Sequence, residues 1–250
     1  MTLHQVAEWV ATADRVVLLT GAGVSTASGI PDYRGPQGVW TRDPAAERRA
    51  TIEVWLTEPE TRRDIWRRRV ERTAIAPRPN DAHAAIAELE RLGHLDTLVT
   101  QNTDGLHQDA GNSRERVIEI HGTNREVVCL ECSARTPMAE ILDRVREGDQ
   151  DPHCERCGGL LKAATVSFGQ PLSPVQLDRA HRAATEGEVF LALGTSLAVY
   201  PVAALPRVAL DTGSRLVVAN AEPTPYDRAA HAVFADDLVE VLPALVELLR

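Results

Sequence analysis

The sequence predicts an α/β fold: a doubly wound parallel sheet of Rossmann-like type, joined by a smaller domain made of a helical insertion and a cysteine-bearing module. Three observations point there. Short apolar segments alternate with stretches of helical periodicity along most of the 250 residues, as a parallel sheet with crossover helices requires. The first segment, Val16 to Leu19, runs into Gly21-Ala22-Gly23 and then the hydroxyls of Ser25, Thr26 and Ser28, the strand, turn and helix start of a dinucleotide site. All four cysteines lie inside one of two stretches, 36–80 and 125–163, that interrupt the alternation. Residues 1–35, 81–124 and 164–250 are therefore expected to form the sheet domain, and the two interruptions the small one.

Taken in order, LHQVAEWVAT (3–12) has apolar side chains at helical spacing and predicts a leading helix. After the glycine turn comes a polar loop, Gly29 to Gly35, and then a charged helical region from Asp43 to Arg72. Pro44 suits a helix start, Pro59 begins another helix, and Ile52, Trp55 and Leu56 form an apolar stripe facing the body of the protein. Pro77 and Pro79 break the pattern. Asn80 or Asp81 caps a helix that ends at Gly93. Strands follow at 96–100, running into Gln101-Asn102-Thr103-Asp104-Gly105, and at 117–120, ending in His121-Gly122. After the cysteine module the sheet is expected to resume with a strand at Val166-Ser167-Phe168, a helix at 176–185 and a strand at 189–193 ending in Gly194-Thr195-Ser196. A helix at 202–210, a strand at 215–219 ending beside Asn220, and a final helix at 238–249 complete it.

Composition excludes several classes. Hydrophobic residues at 44% and charged residues at 25% suit an ordinary globular chain, and aromatics at 4% leave the packing to aliphatic side chains. No apolar run approaches the roughly 18 residues of a membrane span. The first residues lack a basic segment followed by an apolar one, so no signal peptide and a cytoplasmic location are expected. A net charge of −9 argues against a nucleic-acid or membrane partner and suits basic peptide partners. Of the 27 basic residues only Lys162 is a lysine, and it is expected on the surface.

Cys129-x2-Cys132 and Cys154-x2-Cys157 have the spacing of two zinc knuckles, four thiolates around one tetrahedral ion. Disulfides are disfavoured in a reducing cytosol, and a redox CxxC needs no second pair. A site with four protein ligands is closed, so the zinc is structural; His153 is a bystander. His121 closes a strand beside Gly122, at the sheet edge where ligands of open α/β folds bind, and is the candidate general base. His107 lies nearby in sequence as a decoy.

GAGVSTASGIPDYRG, QNTDGLHQDAG, His121-Gly122, the two CxxC pairs, Phe168-Gly169, GTS and Asn220, in that order, resemble the sirtuins, the NAD-dependent protein deacylases. The resemblance covers nearly the whole chain. It implies that Gly21, Ala22 and Gly23 cradle the NAD pyrophosphate with Ser25, Gly194, Thr195 and Ser196. It further implies that Asp32, Tyr33 and Arg34 form a loop over the nicotinamide half, and that Gln101, Asn102 and Asp104 line its pocket. By the same resemblance Asn220, Glu222 and Leu238 would hold the adenosine, and Val166, Phe168 and Gly169 would border an acyl-lysine groove. His121 and Asn102 are the implied catalytic pair. In the implied reaction the acyl oxygen attacks the ribose C1′, nicotinamide leaves, and His121 takes a proton from the ribose hydroxyls. Free lysine and O-acyl-ADP-ribose result. Mono-ADP-ribosyl transfer would use the same NAD site. Ala163, Ala164 and Gln170 depart from the Pro-Asp pair and final acid common in the family. Trp66 and Arg69 stand where acid-removing sirtuins have Tyr-x-x-Arg; the expectation is a solvated basic helix face and a preference for neutral acyl groups.

Overall fold

The computed structural model describes residues 1–36, 38–43, 45–72 and 76–250. The helix start expected at Pro44 lies outside the described residues. Nine strands are found among them: β1 (Val16–Thr20), β2 (Leu95–Thr100), β3 (Val117–Glu119), β4 (Gly122–Cys129), β5 (Arg135–Pro137), β6 (Leu161–Thr165), β7 (Val189–Leu193), β8 (Arg215–Ala219) and β9 (Ala232–Phe234). Six of them form a parallel sheet in the order β3-β2-β1-β7-β8-β9, and β5-β4-β6 form a small antiparallel sheet. The strand order reverses between β1 and β7, so the crevice for a ligand opens at the carboxyl ends of those two strands.

The apolar run of β1 is explained by burial on both faces. Val16 and Leu18 point into one core with the helices α1 (Leu3–Thr12), α6 (Asp81–Arg91) and α11 (Leu238–Glu247). Val17 and Leu19 point into the other, with α9 (Pro174–Glu186) and α10 (Leu205–Asp211). Between β1 and α6 the chain makes α2 (Val39–Arg42), α3 (Ala45–Arg49), α4 (Ile52–Thr57) and α5 (Pro59–Arg72). The short α7 (Leu106–Ala110) follows β2, and α8 (Met138–Arg146) follows β5. A third core joins Trp55 of α4 and Trp66 of α5 to Val127, Ile141, Leu142 and Leu161 of the cysteine-bearing region. The guanidinium of Arg62 is pinned there, its Nε and Nη2 on the two carboxylate oxygens of Asp151 (2.7 and 2.5 Å) and its Nη1 on Trp55 O.

Several expectations change. The glycine turn leads into two 3-10 turns, Ala22–Val24 and Thr26–Ser28, neither capped by a side chain. The crossover helix is α6, capped by Asn80, whose Nδ2 also reaches back to Val24 O and Ser28 Oγ. No strand forms at 166–168. The strand there is β6, starting five residues earlier, and it pairs antiparallel with β4. Residues 166–168 continue it as a linker, with Val166 N bonded to His121 O and Phe168 bridged to Thr51. Leu56 is 51% exposed and does not join Trp55 in the core. β5 and β9 are three residues each, too short to show alternation, whereas α8 sets Met138, Ile141, Leu142 and Val145 at helical spacing toward the third core within the cysteine-bearing stretch.

Candidate active site

The loops after β1 and β7 nest against each other. Gly21 N donates to Leu193 O (3.0 Å) and Gly23 N to Gly194 O (2.9 Å). A Cβ on Gly21 would lie 2.6 Å from Gly194 O, and one on Gly23 2.7 Å from Gly194 Cα. Gly194 itself has φ of 59°, a left-handed conformation that glycine adopts without strain. The glycines are thus required first by the contact between loops. The backbone N–H groups of Ala22, Thr195 and Ser196 donate to no protein group among the described residues, an arrangement suited to an anion.

These loops floor a cleft of about 2140 Å³ between the parallel sheet and the smaller sheet with its helices. Every non-cysteine site residue named from the sequence lines it: the glycine loop, Asp32 to Arg34, Gln101, Asn102, Asp104, His121, Gly194 to Ser196, Asn220, Glu222, Leu238, and Val166, Phe168 and Gly169. Asn220 directly follows β8, and its Nδ2 donates to Glu222 O (2.7 Å). At the mouth, Tyr33, Trp40 and Phe168 pack in series with centroids 4.8 and 5.4 Å apart and rings tilted by 44° and 56°, and Arg34 covers Trp40.

His121 is partly buried, with Nδ1 3.1 Å from Gln101 O. A carbonyl can only accept, so Nδ1 carries the proton and Nε2 keeps its lone pair. Burial lowers the imidazole pKa below its usual value, partly offset by the Gln101 carbonyl; the ring is neutral at physiological pH and competent as a base. Asn102 is 9% exposed, its Nδ2 shared between Gly21 O (3.0 Å) and Ser25 Oγ (3.1 Å). Ser25 Oγ donates to Asp104 Oδ2 (2.8 Å). Ser25 therefore serves the pocket wall and not a helix cap.

Two basic residues are not where the sequence put them. Lys162 is 3% exposed and lines the cleft, its Nζ donating to the carbonyls of Ala163 and Thr165. Burial, with Arg69 adding repulsion, lowers its pKa to about 8. Arg69 is not a solvated face residue: it lines the cleft, its Nη1 on Asn124 Oδ1 (3.0 Å) and its Nε enclosed without an acceptor among the described residues. Burial and then the neighbouring Arg72 bring it down to about 10. Trp66 is fully buried against Trp55 and belongs to the third core. These positions depend on how α5 and β6 pack across the small core, which no local pattern reveals.

The four cysteines converge. Their Sγ atoms lie within 4.8 Å of one another, with Cys129–Cys157 at 3.5 Å and Cys132–Cys154 at 3.7 Å. Thiolates at about 2.3 Å from a tetrahedral zinc stand about 3.8 Å apart, so the cluster fits that ion. The backbone N–H of Cys132 points at Cys129 Sγ and, as the largest contribution, brings that thiol down to about 6. His153 turns its Nδ1 to Gly158 O (2.8 Å) and stays outside the cluster.

Fold and site together define a nucleotide-site α/β protein with a separate thiolate metal site, and the comparisons with known proteins carry this further. The family model described as the Sir2 family matches residues 21–201. The chain is 53% identical to the NAD-dependent protein deacetylase 2 of Streptomyces coelicolor over 92% of its own length and 96% of that protein. To the NAD-dependent protein deacetylase of Haloarcula marismortui it is 45% identical, over 98% and 94%. Among solved structures it matches a Sir2 variant with a deacetylated p53 peptide and 3′-O-acetyl ADP ribose (TM-score 0.89, 32% identity, 99% and 98% covered). It also matches a Sir2 complex with p53 peptide and NAD⁺ (TM-score 0.86, 32% identity, 99% and 98% covered). The chain belongs to the Sir2 family, the sirtuins.

Proposed function

We propose that this chain is an NAD-dependent protein lysine deacylase, moving the acyl group of an acyl-lysine peptide to ADP-ribose with release of nicotinamide. The observation that carries the reading is His121: a neutral imidazole, its Nδ1 held by Gln101 O and its Nε2 free, in the cleft that also holds the glycine loops. The names of the relatives and the peptide complexes of the structural neighbours support it.

Bound NAD supplies an electrophilic ribose carbon with nicotinamide as leaving group. The remaining work falls to side chains and amides of this chain. The unpaired amides of Ala22, Thr195 and Ser196 would take the pyrophosphate, with Gly21, Gly23, Ser25 and Gly194 shaping the floor. Asn220, Glu222 and Leu238 would hold the adenosine, and Gln101, Asn102 and Asp104 the nicotinamide end. Asp32, Tyr33 and Arg34 would close over it. Nε2 of His121 accepts the proton of a ribose hydroxyl. Val166, Phe168 and Gly169, tied to His121 O through Val166 N, would border the acyl-lysine.

We further propose the division into a sheet domain (1–35, 81–124, 164–250) and a small domain (36–80, 125–163), supported by the separate third core. A reducing cytoplasm is the location that suits four zinc-ligating thiols. Among the described residues no helix is long and apolar enough to cross a membrane. An acetyl-lysine peptide incubated with the protein should lose its acetyl group only when NAD is present; loss without NAD, or none with it, overturns this reading.

A further inference from the structure

His107, a decoy by sequence, is 1% exposed at the start of α7, behind the cleft floor. Its Nε2 lies 3.0 Å from Thr20 Oγ1. Thr20 Oγ1 donates to Thr100 Oγ1 (2.9 Å), and Thr100 Oγ1 accepts the N–H of Asn102 (3.1 Å). Thr20 and Thr100 are register partners at the last positions of β1 and β2, so their side chains meet on one face. The Asn102 N–H and the Gln101 carbonyl are the two ends of one planar peptide group. That carbonyl accepts His121 Nδ1–H (3.1 Å).

We propose that His107 is a positioning residue for His121, acting through Thr20, Thr100 and the peptide group between Gln101 and Asn102. The inference rests on His121 being the general base.

The donor directions form one consistent chain. Thr20 gives its proton to Thr100 and so accepts from His107, which carries its proton on Nε2. His107 Nδ1 is buried without a partner among the described residues. A side chain kept only for packing would be better apolar, because a buried unpaired nitrogen is unfavourable. The ring also stays neutral, its pKa brought down to about 3 by burial and then by His83, whose ring centroid is 5.0 Å away. His83 is itself lowered by burial and raised in part by Asp104. No charged side chain contributes to the shift of His121, which comes from burial and the Gln101 carbonyl alone. Rotation of the 101–102 peptide plane is therefore the route by which His107 reaches the base. Losing the carbonyl contact would lower the His121 pKa further and let the ring turn.

The test compares Thr20→Val, which keeps the shape and breaks the chain, with Thr20→Ser, which keeps the hydroxyl. His107→Leu and His107→Gln make the same contrast at its origin. Deacetylation of an acetyl-lysine peptide is measured from pH 5 to 9, and the His121 imidazole is titrated by NMR without substrate. Thr20→Val and His107→Leu should lose kcat by about 10- to 10²-fold, as small misplacements of a catalytic group do, with the peptide KM within about twofold. Their His121 titration and the acid limb of kcat should move to lower pH. Thr20→Ser should stay near wild type, and His107→Gln should recover part of the loss. Folded Thr20→Val with an unmoved His121 titration overturns the proposal, as does a loss of activity that only follows loss of folded protein. An inactive wild type would overturn the deacylase reading instead, while the NMR titration would still decide on the hydrogen-bond chain.

Discussion

The working state of His121 is set by two contacts of opposite effect, burial and the Gln101 carbonyl, and burial prevails. His121→Ala should lower turnover by about 10²–10⁴-fold with NAD binding retained; turnover close to wild type would reject the base. Because the base must be neutral and its pKa is lowered, the rate should hold as pH falls through 6.5 and drop only below that, in a pH–kcat profile. Stability has the same sign. His83 and His107 bind fewer protons folded than unfolded, since both are lowered, so stability is full above the unfolded value of about 6.5 and is lost as pH falls toward 3. An acid-unfolding series in that window checks it. Arg69 bears on the expected preference for neutral acyl groups: with Nε unpaired among the described residues and the cation enclosed in the cleft, the prediction is the opposite, that an acyl chain ending in a carboxylate is favoured. Succinyl-peptide should then be hydrolysed at least as fast as acetyl-peptide, the advantage vanishing in Arg69→Ala; an unchanged ratio in that variant would restore the earlier expectation. His121 and Asn102 were legible because they close strands at the sheet edge. Arg69 and Lys162 were not, because their burial is decided by elements far apart in sequence.

At the scale of the element, the glycine turn and the cysteine module behave differently. Gly21→Ala should destabilise the fold by about 1–3 kcal/mol, since its Cβ would meet Gly194 O at 2.6 Å and Thr195 Cβ at 2.7 Å; thermal unfolding measures this. Cys154→Ser should release zinc and loosen the small sheet, and metal analysis finding no zinc in active wild-type protein would contradict the site. The Arg62–Asp151 pair, with side chains 7% and 15% exposed, ties α5 to the cysteine-bearing region. Removing its carboxylate in Asp151→Ala should cost about 3–5 kcal/mol, because a buried guanidinium is left uncompensated. β1, β2, β7 and β8 were legible from their apolar runs, which burial on both faces demands. The helix expected after the glycine turn was not found because Ser25 turns inward to Asp104 and the chain leaves the sheet at once. The displaced strand near 166 has a similar cause: Ala163 and Leu161 pack on the third core, so the pairing falls there.

At the scale of the whole molecule, function depends on two sheets meeting over one cleft. The order β3-β2-β1-β7-β8-β9 places the loops after β1, β2, β7 and β8 along one edge. The bonds from Val166 to His121 and from Phe168 to Ala50 and Ile52 hang the small sheet and the helical insertion over it. The alternation of strands and helices made the parallel sheet legible, and the CxxC spacing made the metal site legible. The closure of the cleft was not, since it is built from contacts between residues 50–52, 121 and 166–168. The decisive measurement is the product balance, by mass spectrometry, of a reaction of wild-type protein, NAD and an acetyl-lysine peptide. One nicotinamide and one O-acetyl-ADP-ribose should form for each deacetylated peptide. Free acetate without NAD consumption, or a peptide that gains ADP-ribose and keeps its acetyl group, would contradict acyl transfer to ADP-ribose.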